Sequence, residues 1–166
     1  MGLDHGICMK KKGKGRNKYT ELAYFRKCNQ IHGWFLKHCI AREYGEPRDW
    51  NGDMFPITRE DLVKLHTELK FILEHCTLRP GIVRNGYTYK ELFGKKRRIN
   101  NYEWGKKIRN KKLAKEFFPT TEGFFFGSYE YDELYRDQLE ETEKDIAKIL
   151  KEVDFDKYNV YYWGWW

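Results

Sequence analysis

The segment from Tyr24 to Phe35 carries three polar side chains at a spacing that predicts joint chemistry. Arg26, Asn29 and His32 recur at i, i+3 and i+6, which on a helix forms one row running from the solvent face into an apolar stripe. Buried polar groups without partners cost about 1–3 kcal/mol each, so this row needs a partner. Arginine clamps phosphate, asparagine reads a base or amide edge, and histidine donates to an anion. A bound phosphorylated nucleotide or a nucleic-acid phosphate would satisfy all three side chains.

Asp4 and Ser128 are the two residues that we expect to complete this ligand site. An internal network is the competing interpretation, in which Asp4 pairs with Arg26 while Asn29 and His32 bond to the backbone. A third hypothesis uses His32 in a phosphodiesterase reaction. The residue types leave all three open. We lean against an enzyme, because the sequence has no Gly-x-Ser-x-Gly and no cysteine with a motif-grade histidine partner.

Metal ligation is a further alternative for the same segment. Cys28 and His32 lie at i and i+4 and could chelate one ion together, with His5, Cys8 or Cys39 nearby. A closed zinc site uses four ligands with recognisable spacing, whereas cysteine and a single histidine are also common on an apolar stripe. We therefore predict no metal and no other cofactor.

A second candidate site lies between Thr77 and Lys115, where thirteen basic residues oppose two acidic ones, a net charge of +11. The whole chain carries +7, so the remainder sums to −4. Such a field attracts polyanions, and interleaved aromatic rings suit unpaired bases. A solvated basic loop and a contact with an acidic protein surface are the alternatives. The residues predicted to bind nucleic acid, assisted by the basic run at 10–18, are Lys95, Lys96, Arg97, Arg98, Tyr102, Trp104, Lys106, Lys107, Arg109, Lys111 and Lys112.

A mixture of helices and strands must position these residues. Residue periodicity predicts a first strand at 2–9, helices at about 20–42, 58–76 and 132–153, and a last strand at 158–166. The run Gly123-Phe124-Phe125-Phe126-Gly127 is apolar throughout and predicts a buried strand. Because the order lacks βαβ alternation, it predicts an α+β fold with a small mixed or antiparallel sheet packed against three helices.

Length and composition bound the architecture and the location. The 166 residues suit a single domain, in which residues 79–112 resemble a basic insertion. A mean hydropathy of −0.87 and the lack of an apolar run of about 18 residues argue against a membrane protein. The four cysteines show no CxxC spacing and no signal-peptide pattern opens the chain, so we expect a reduced, cytoplasmic protein. The sequence leaves the oligomeric state open.

Three ordered motifs resemble those of a family of small, mostly uncharacterised phage and prophage proteins. They are Met-Gly-Leu-Asp from Met1, aromatic-Arg-Lys-x-Asn-x-Ile-His-x-Trp-Phe from Phe25, and Pro-Thr-x-x-Gly-Phe-Phe-Phe-Gly-Ser-x-x-Tyr-Asp from Pro119. The match covers both ends of the chain and leaves out about residues 79–112. The resemblance implies a phage accessory protein that acts in the host cytoplasm on a host process such as antiviral defence.

Together these features predict a non-catalytic binder that interferes with a host process by holding nucleic acid or a host nucleoprotein through the basic insertion. The second hypothesis is sequestration of a phosphorylated nucleotide signal at Arg26, Asn29 and His32. The third is a phosphodiesterase that depends on His32.

Overall fold

The structure, a computed structural model, describes residues 2–13, 18–41 and 51–166. Four α-helices and six strands lie in these residues and both sheets are antiparallel, which confirms the predicted α+β class. The elements in chain order are β1 (Asp4–Lys11), β2 (Thr20–Arg26), α1 (Asn29–Phe35, continued by the π-helical Leu36–Ile40), β3 (Met54–Ile57), α2 (Arg59–His75), β4 (Leu78–Leu92), β5 (Lys95–Ile108), α3 (Lys111–Phe117), α4 (Glu133–Glu152) and β6 (Tyr158–Trp165).

The central sheet has the strand order β2-β1-β6-β3, so the first and last strands of the chain lie side by side. Successive side chains of a strand point to opposite faces, and one face carries the buried residues Ile7, Phe25 and Tyr162. The helices cover this face, with the ring of Phe35 from α1 stacked on Tyr162 at 4.1 Å between centroids. The core therefore lies on one side of the sheet.

Local capping chemistry sets the starts of the two long helices where the sequence predicted them. The hydroxyl of Thr58 accepts from the amide of Asp61 at 3.1 Å, and the carboxylate of Asp61 accepts from the amide of Thr58 at 2.9 Å. Asp132 caps α4 by accepting from the amide of Tyr135 at 3.1 Å. No helix in the described part of the chain is both long and apolar enough to cross a membrane.

Strands β4 and β5 form a separate two-stranded hairpin that contains most of the predicted basic insertion. Its two-residue turn, Phe93 and Gly94, has φ values of 53° and 71°. Positive φ at both positions is typical of a type I′ turn, whose twist matches the flanking strands. The base of the hairpin is tied to the body, because the amide of Ile108 donates to the carbonyl of Tyr131 at 2.9 Å.

The predicted first helix is wrong over its first third. Residues Thr20–Arg26 form strand β2, which pairs with β1, and α1 begins only at Asn29. Alternating burial of Ala23 and Phe25 with exposed Tyr24 matches a strand, yet the same short aromatic run also fits a helical stripe. Hydrogen bonding to β1 makes this segment a strand instead of a helix. The predicted helix end at Arg42 lies outside the described residues.

The predicted buried strand at residues 123–127 is also wrong. These residues form a turn and a loop in which Phe126 is buried while Phe124 and Phe125 are exposed. Phe125 and Gly127 have φ values of 57° and 102°, which no regular strand adopts. The run is apolar throughout because it contains an exposed aromatic pair, Phe124 and Phe125, and not because both faces of a strand are buried.

Candidate nucleic-acid interface

Arg26 lies at the end of β2, where its direct cross-strand neighbour is Asp4 of β1. The guanidinium nitrogen and the carboxylate oxygen are 3.0 Å apart, and the hydroxyl of Tyr24 donates to the same oxygen. This hydrogen bond to Asp4 raises the pKa of Tyr24 above its ordinary value. The group is largely exposed, so solvent screens the ion pair, and its contribution to folding is small.

Asn29 is the first residue of α1 and is fully buried. Its side-chain nitrogen donates to the carbonyls of Phe126 at 3.1 Å and Ser128 at 2.8 Å. Its side-chain oxygen accepts from the amide of Thr121 at 2.9 Å. The one amide group thus joins the start of the helix to the loop between α3 and α4, and both its donor and acceptor atoms are used within the protein.

His32 lies one turn further along α1 and is 1% exposed. Its Nδ1 and the hydroxyl of Tyr162 share a hydrogen bond of 2.6 Å, and the ring of Trp166 covers it at 4.8 Å between centroids. The imidazole of His5 lies 5.6 Å away and donates from Nε2 to the carbonyl of Cys28 at 3.0 Å. Burial lowers the pKa of His32 to about 4 and that of His5 well below 6.5. Both rings are therefore neutral near pH 7.

The structure separates the predicted ligand-site residues into two groups. Asp4 and Arg26 meet at the surface, whereas the buried side chain of Asn29 donates to the backbone of Ser128, a residue exposed at the edge of the loop. These contacts follow the internal-network interpretation, except that His32 bonds to a tyrosine side chain instead of the backbone. Nucleotide binding and phosphodiester cleavage stay predictions. Neither gains support from a buried, neutral histidine, because an anion contact or a general base must reach its substrate.

The residues weighed for zinc form no recognisable metal site. Within residues 2–13, 18–41 and 51–166, no group of three or more histidine, cysteine, aspartate or glutamate side chains is arranged to hold an ion. Cys28 is buried beneath the sheet, and desolvation raises the pKa of its thiol to about 12.

The pairing register of β4 and β5 sorts the basic hairpin into two faces. Residues directly opposite in an antiparallel pair share a face, and successive residues alternate. Tyr89 opposes Arg98, and Ile82 opposes Trp104. A β-bulge between Arg84 and Tyr87 keeps both halves in phase. We call the resulting set the hairpin aromatic face; it comprises Ile82, Arg84, Tyr87, Tyr89, Glu91, Lys96, Arg98, Asn100, Tyr102 and Trp104.

The rings of the hairpin aromatic face are open to solvent. Trp104 is 78% exposed, Tyr102 64% and Tyr89 63%, values unusual for large apolar side chains. The guanidinium carbon of Arg98 lies over the ring of Tyr87, 3.8 Å from its centroid, within the range of a cation–π interaction. The face thus presents flat π surfaces and positive charge side by side.

Among the other predicted basic residues, Lys106 is opposite Pro80 and shares the face of Trp104 at the base of the hairpin, and the rest lie on the opposite face or in the segment that follows the hairpin. Lys95, Arg97 and Lys107 alternate with the hairpin aromatic face along β5. Lys106 pairs with Glu133 of α4 at 2.6 Å, and this carboxylate raises the pKa of the lysine. The remaining three predicted contacts, Arg109, Lys111 and Lys112, are exposed at the start of α3 and just before it.

A cleft of about 280 Å³ separates the hairpin aromatic face from the loop that precedes α4. Arg84, Tyr87 and Arg98 line one side of it, and Ser128 and Tyr129 line the other. Ser128, predicted for the first site, therefore contributes to the second one as well. Sequence reasoning left Arg84, Tyr87 and Tyr89 out of the interface.

The signal that could have found these residues is the period-two spacing of the tyrosines at 87 and 89, which puts both rings on one face of a strand.

No protein-family model, no curated protein and no solved structure matches this chain.

Proposed function

We propose that this protein is a non-catalytic binder of single-stranded nucleic acid, free or within a host nucleoprotein, and that the hairpin aromatic face is its interface. One observation carries the proposal: exposed rings and cations alternate on a single face of the β4–β5 hairpin. A ring contributes about 1–3 kcal/mol per stacked base, and it accepts any base because every base has a π face. Unpaired bases are required, because the bases of a duplex are already stacked on one another.

The charge distribution supports the same partner. The segment Thr77 to Lys115 carries a net +11, whereas the rest of the chain sums to −4. Phosphates drawn to the hairpin would release counterions, so affinity should fall steeply with salt. The cations at Arg84 and Arg98 border the cleft beside Ser128, where a strand leaving the rings would continue.

The biological setting rests on the resemblance to phage and prophage proteins. On that basis the protein is a phage accessory protein that interferes with a host process, and antiviral defence is the process that we favour. Expression in a bacterium that carries a defence system should then restore phage plating. The restoration should be lost in the Trp104→Ala variant.

Fluorescence anisotropy with a labelled single strand of about 16 nucleotides tests the interface. Arg98→Gln and Arg97→Gln are matched variants, since they remove the same charge from adjacent positions on opposite faces. We expect Arg98→Gln to weaken binding several-fold more than Arg97→Gln. Equal losses would mean that net charge alone attracts the strand, and unchanged binding in both variants would refute the interface.

The rings are tested by Tyr89→Ala combined with Trp104→Ala, with Ile99→Ala on the opposite face as the control. Loss of two stacked bases should weaken binding about a hundredfold or more. The control should leave the affinity unchanged. Equal affinity for a duplex of the same sequence would contradict base stacking.

A further inference from the structure

A cleft of about 190 Å³ lies at the base of the hairpin, where β4 and β5 meet the segment that leads into α4. Most of the charged side chains around it are basic. We call it the basal cleft; its charged residues are Arg79, Lys107, Arg109, Lys111, Glu130 and Asp132. Four positive groups against two negative ones give this small cleft a net charge of +2. The basal cleft therefore favours an anion.

The basic side chains of the basal cleft are not neutralised by ion pairs. In the described part of the chain, none of the four is paired with a carboxylate. Lys106, the residue before Lys107, differs because it pairs with Glu133 of α4 at 2.6 Å. Of the two acidic residues in the cleft, Asp132 already serves as the cap of α4. The positive charge of the cleft is therefore available to a ligand.

Contacts within the fold position three of these basic residues. The ammonium of Lys111 lies 5.0 Å from the centroid of the buried Tyr131 ring. The stem of Lys107 crosses Gly81, where a Cβ would come within 2.8 Å of the lysine Cε. The amide of Arg109 donates at 2.8 Å to the carbonyl that precedes β4. Much of the cost of ordering these groups around an anion is thus met by folding.

The basal cleft is continuous with the hairpin aromatic face. Ile82, which lies opposite Trp104 on that face, also lines the cleft. Glu130 lines both the basal cleft and the neighbouring cleft beside Arg98 and Ser128. A single strand that leaves the rings toward the base of the hairpin would therefore meet the basal cleft.

We propose that the basal cleft binds a phosphate monoester, the terminal phosphate of the single strand on the hairpin aromatic face. The inference rests on the proposed function and names the part of the strand that this end of the interface recognises. A monoester carries about −1.5 to −2 at pH 7, which matches the net +2 of the cleft. An internal phosphodiester and a protein carboxylate each carry a single negative charge. A free nucleotide offers the same monoester, so the experiment separates the two sources.

Fluorescence anisotropy with three internally labelled single strands of one sequence, each of about 16 nucleotides, tests the inference. One strand has a 5′-phosphate, one a 3′-phosphate and one a hydroxyl at both ends. We expect at least one phosphorylated strand to bind about tenfold more tightly than the hydroxyl-ended strand, because charge-assisted hydrogen bonds are strong. Equal affinity for all three strands would overturn the inference and leave the proposed function standing.

The converse outcome is binding of the phosphorylated strands alone, at an affinity that Tyr89→Ala with Trp104→Ala leaves unchanged. It would overturn the proposed function and keep the basal cleft as a phosphate site. Isothermal titration with adenosine 5′-monophosphate addresses the source of the phosphate. We expect this nucleotide to bind far more weakly than the phosphorylated strand, because it lacks the stacked bases. Tighter binding of the nucleotide would overturn the strand end as the ligand.

Matched variants assign the preference for a phosphorylated end to the basal cleft. Lys111 and Lys112 are neighbours at the start of α3, and of the two only Lys111 lines the cleft. Lys111→Gln should reduce the preference several-fold, whereas Lys112→Gln should keep it. Glu130→Gln should increase the preference, because it removes a negative charge from the cleft.

The same preference in Lys111→Gln and Lys112→Gln, together with no gain in Glu130→Gln, would overturn the assignment to this cleft. The preference is a ratio of two affinities measured on one variant, so a fraction of unfolded protein lowers both affinities and leaves the ratio unchanged.

Discussion

Two regions of this protein carry side chains suited to chemistry, and the fold treats them in opposite ways. At the start of α1, His5, Asn29 and His32 are buried, and the polar atoms of Asn29 are all bonded to the backbone of a distant loop. On the hairpin aromatic face, rings such as Trp104 point to solvent. The first region holds the molecule together, and the second is available to a partner.

The difference shows what a conspicuous residue type does and does not reveal. A buried polar side chain must be satisfied, but the protein can supply the partner itself. An exposed aromatic ring differs, because its apolar surface remains in contact with water unless another molecule covers it. Exposure, more than residue type, therefore distinguishes the groups that are used inside this fold from those that a partner could reach.

The largest expected effect is on the stability of the buried region. Asn29→Ala leaves the carbonyls of Phe126 and Ser128 and the amide of Thr121 without their partner. At about 1–3 kcal/mol per unsatisfied group, the free energy of unfolding should fall by about 4 kcal/mol. Urea denaturation measures it, and Asn159→Ala, an exposed substitution, should change it by less than about 0.5 kcal/mol.

The opposite pattern would break the comparison. A folded Asn29→Ala variant of normal stability that no longer binds a nucleotide would make this residue part of a ligand site.

Acid should weaken the buried region by a smaller amount. The folded state holds the pKa of His32 near 4, whereas the unfolded chain has the ordinary value of about 6.5. Because the unfolded state binds the proton first, stability is fully present above about pH 6.5 and is lost as the pH falls toward about 4. The loss from this one group is about 3 kcal/mol at 1.36 kcal/mol per unit.

Urea unfolding across this pH range measures the effect. His32→Gln should make the dependence shallower without removing it, because the buried His5 remains, whereas His75→Gln should keep it, because His75 is exposed on its own helix. An unchanged slope in His32→Gln would mean that other groups carry the acid sensitivity.

The smallest expected effect is a gain in the stability of the exposed hairpin. Phe93 is 98% exposed at the hairpin turn with a φ of 53°, a conformation that asparagine adopts more readily. Phe93→Asn should stabilise the hairpin by about 1 kcal/mol and slow amide exchange in β4 and β5. Affinity for a single strand should be unchanged. A clear loss of affinity would extend the interface to the turn.

The features that sequence predicted well depend on neighbours along the chain. Caps at Thr58 and Asp132 act on amides three residues later, so the starts of α2 and α4 were readable from their residues. The same holds for the basic character of the hairpin, which is a matter of composition. The helix predicted for Thr20–Arg26 was wrong because a short aromatic run fits both the helical and the strand period. Only pairing with β1 distinguishes the two.

By itself the sequence determined the starts of α2 and α4, the α+β class and the position of the positive charge, because each follows from local chemistry or from counting. Only the tertiary structure decided which polar groups are used internally. The partners of Asn29 lie 92, 97 and 99 residues away along the chain. It also decided which rings share a face, since a bulge beside Arg84 sets the register of the hairpin. Contacts between distant residues leave no pattern in the local sequence. Such contacts bury the polar side chains at the start of α1, whereas the rings of the hairpin aromatic face have none that cover them.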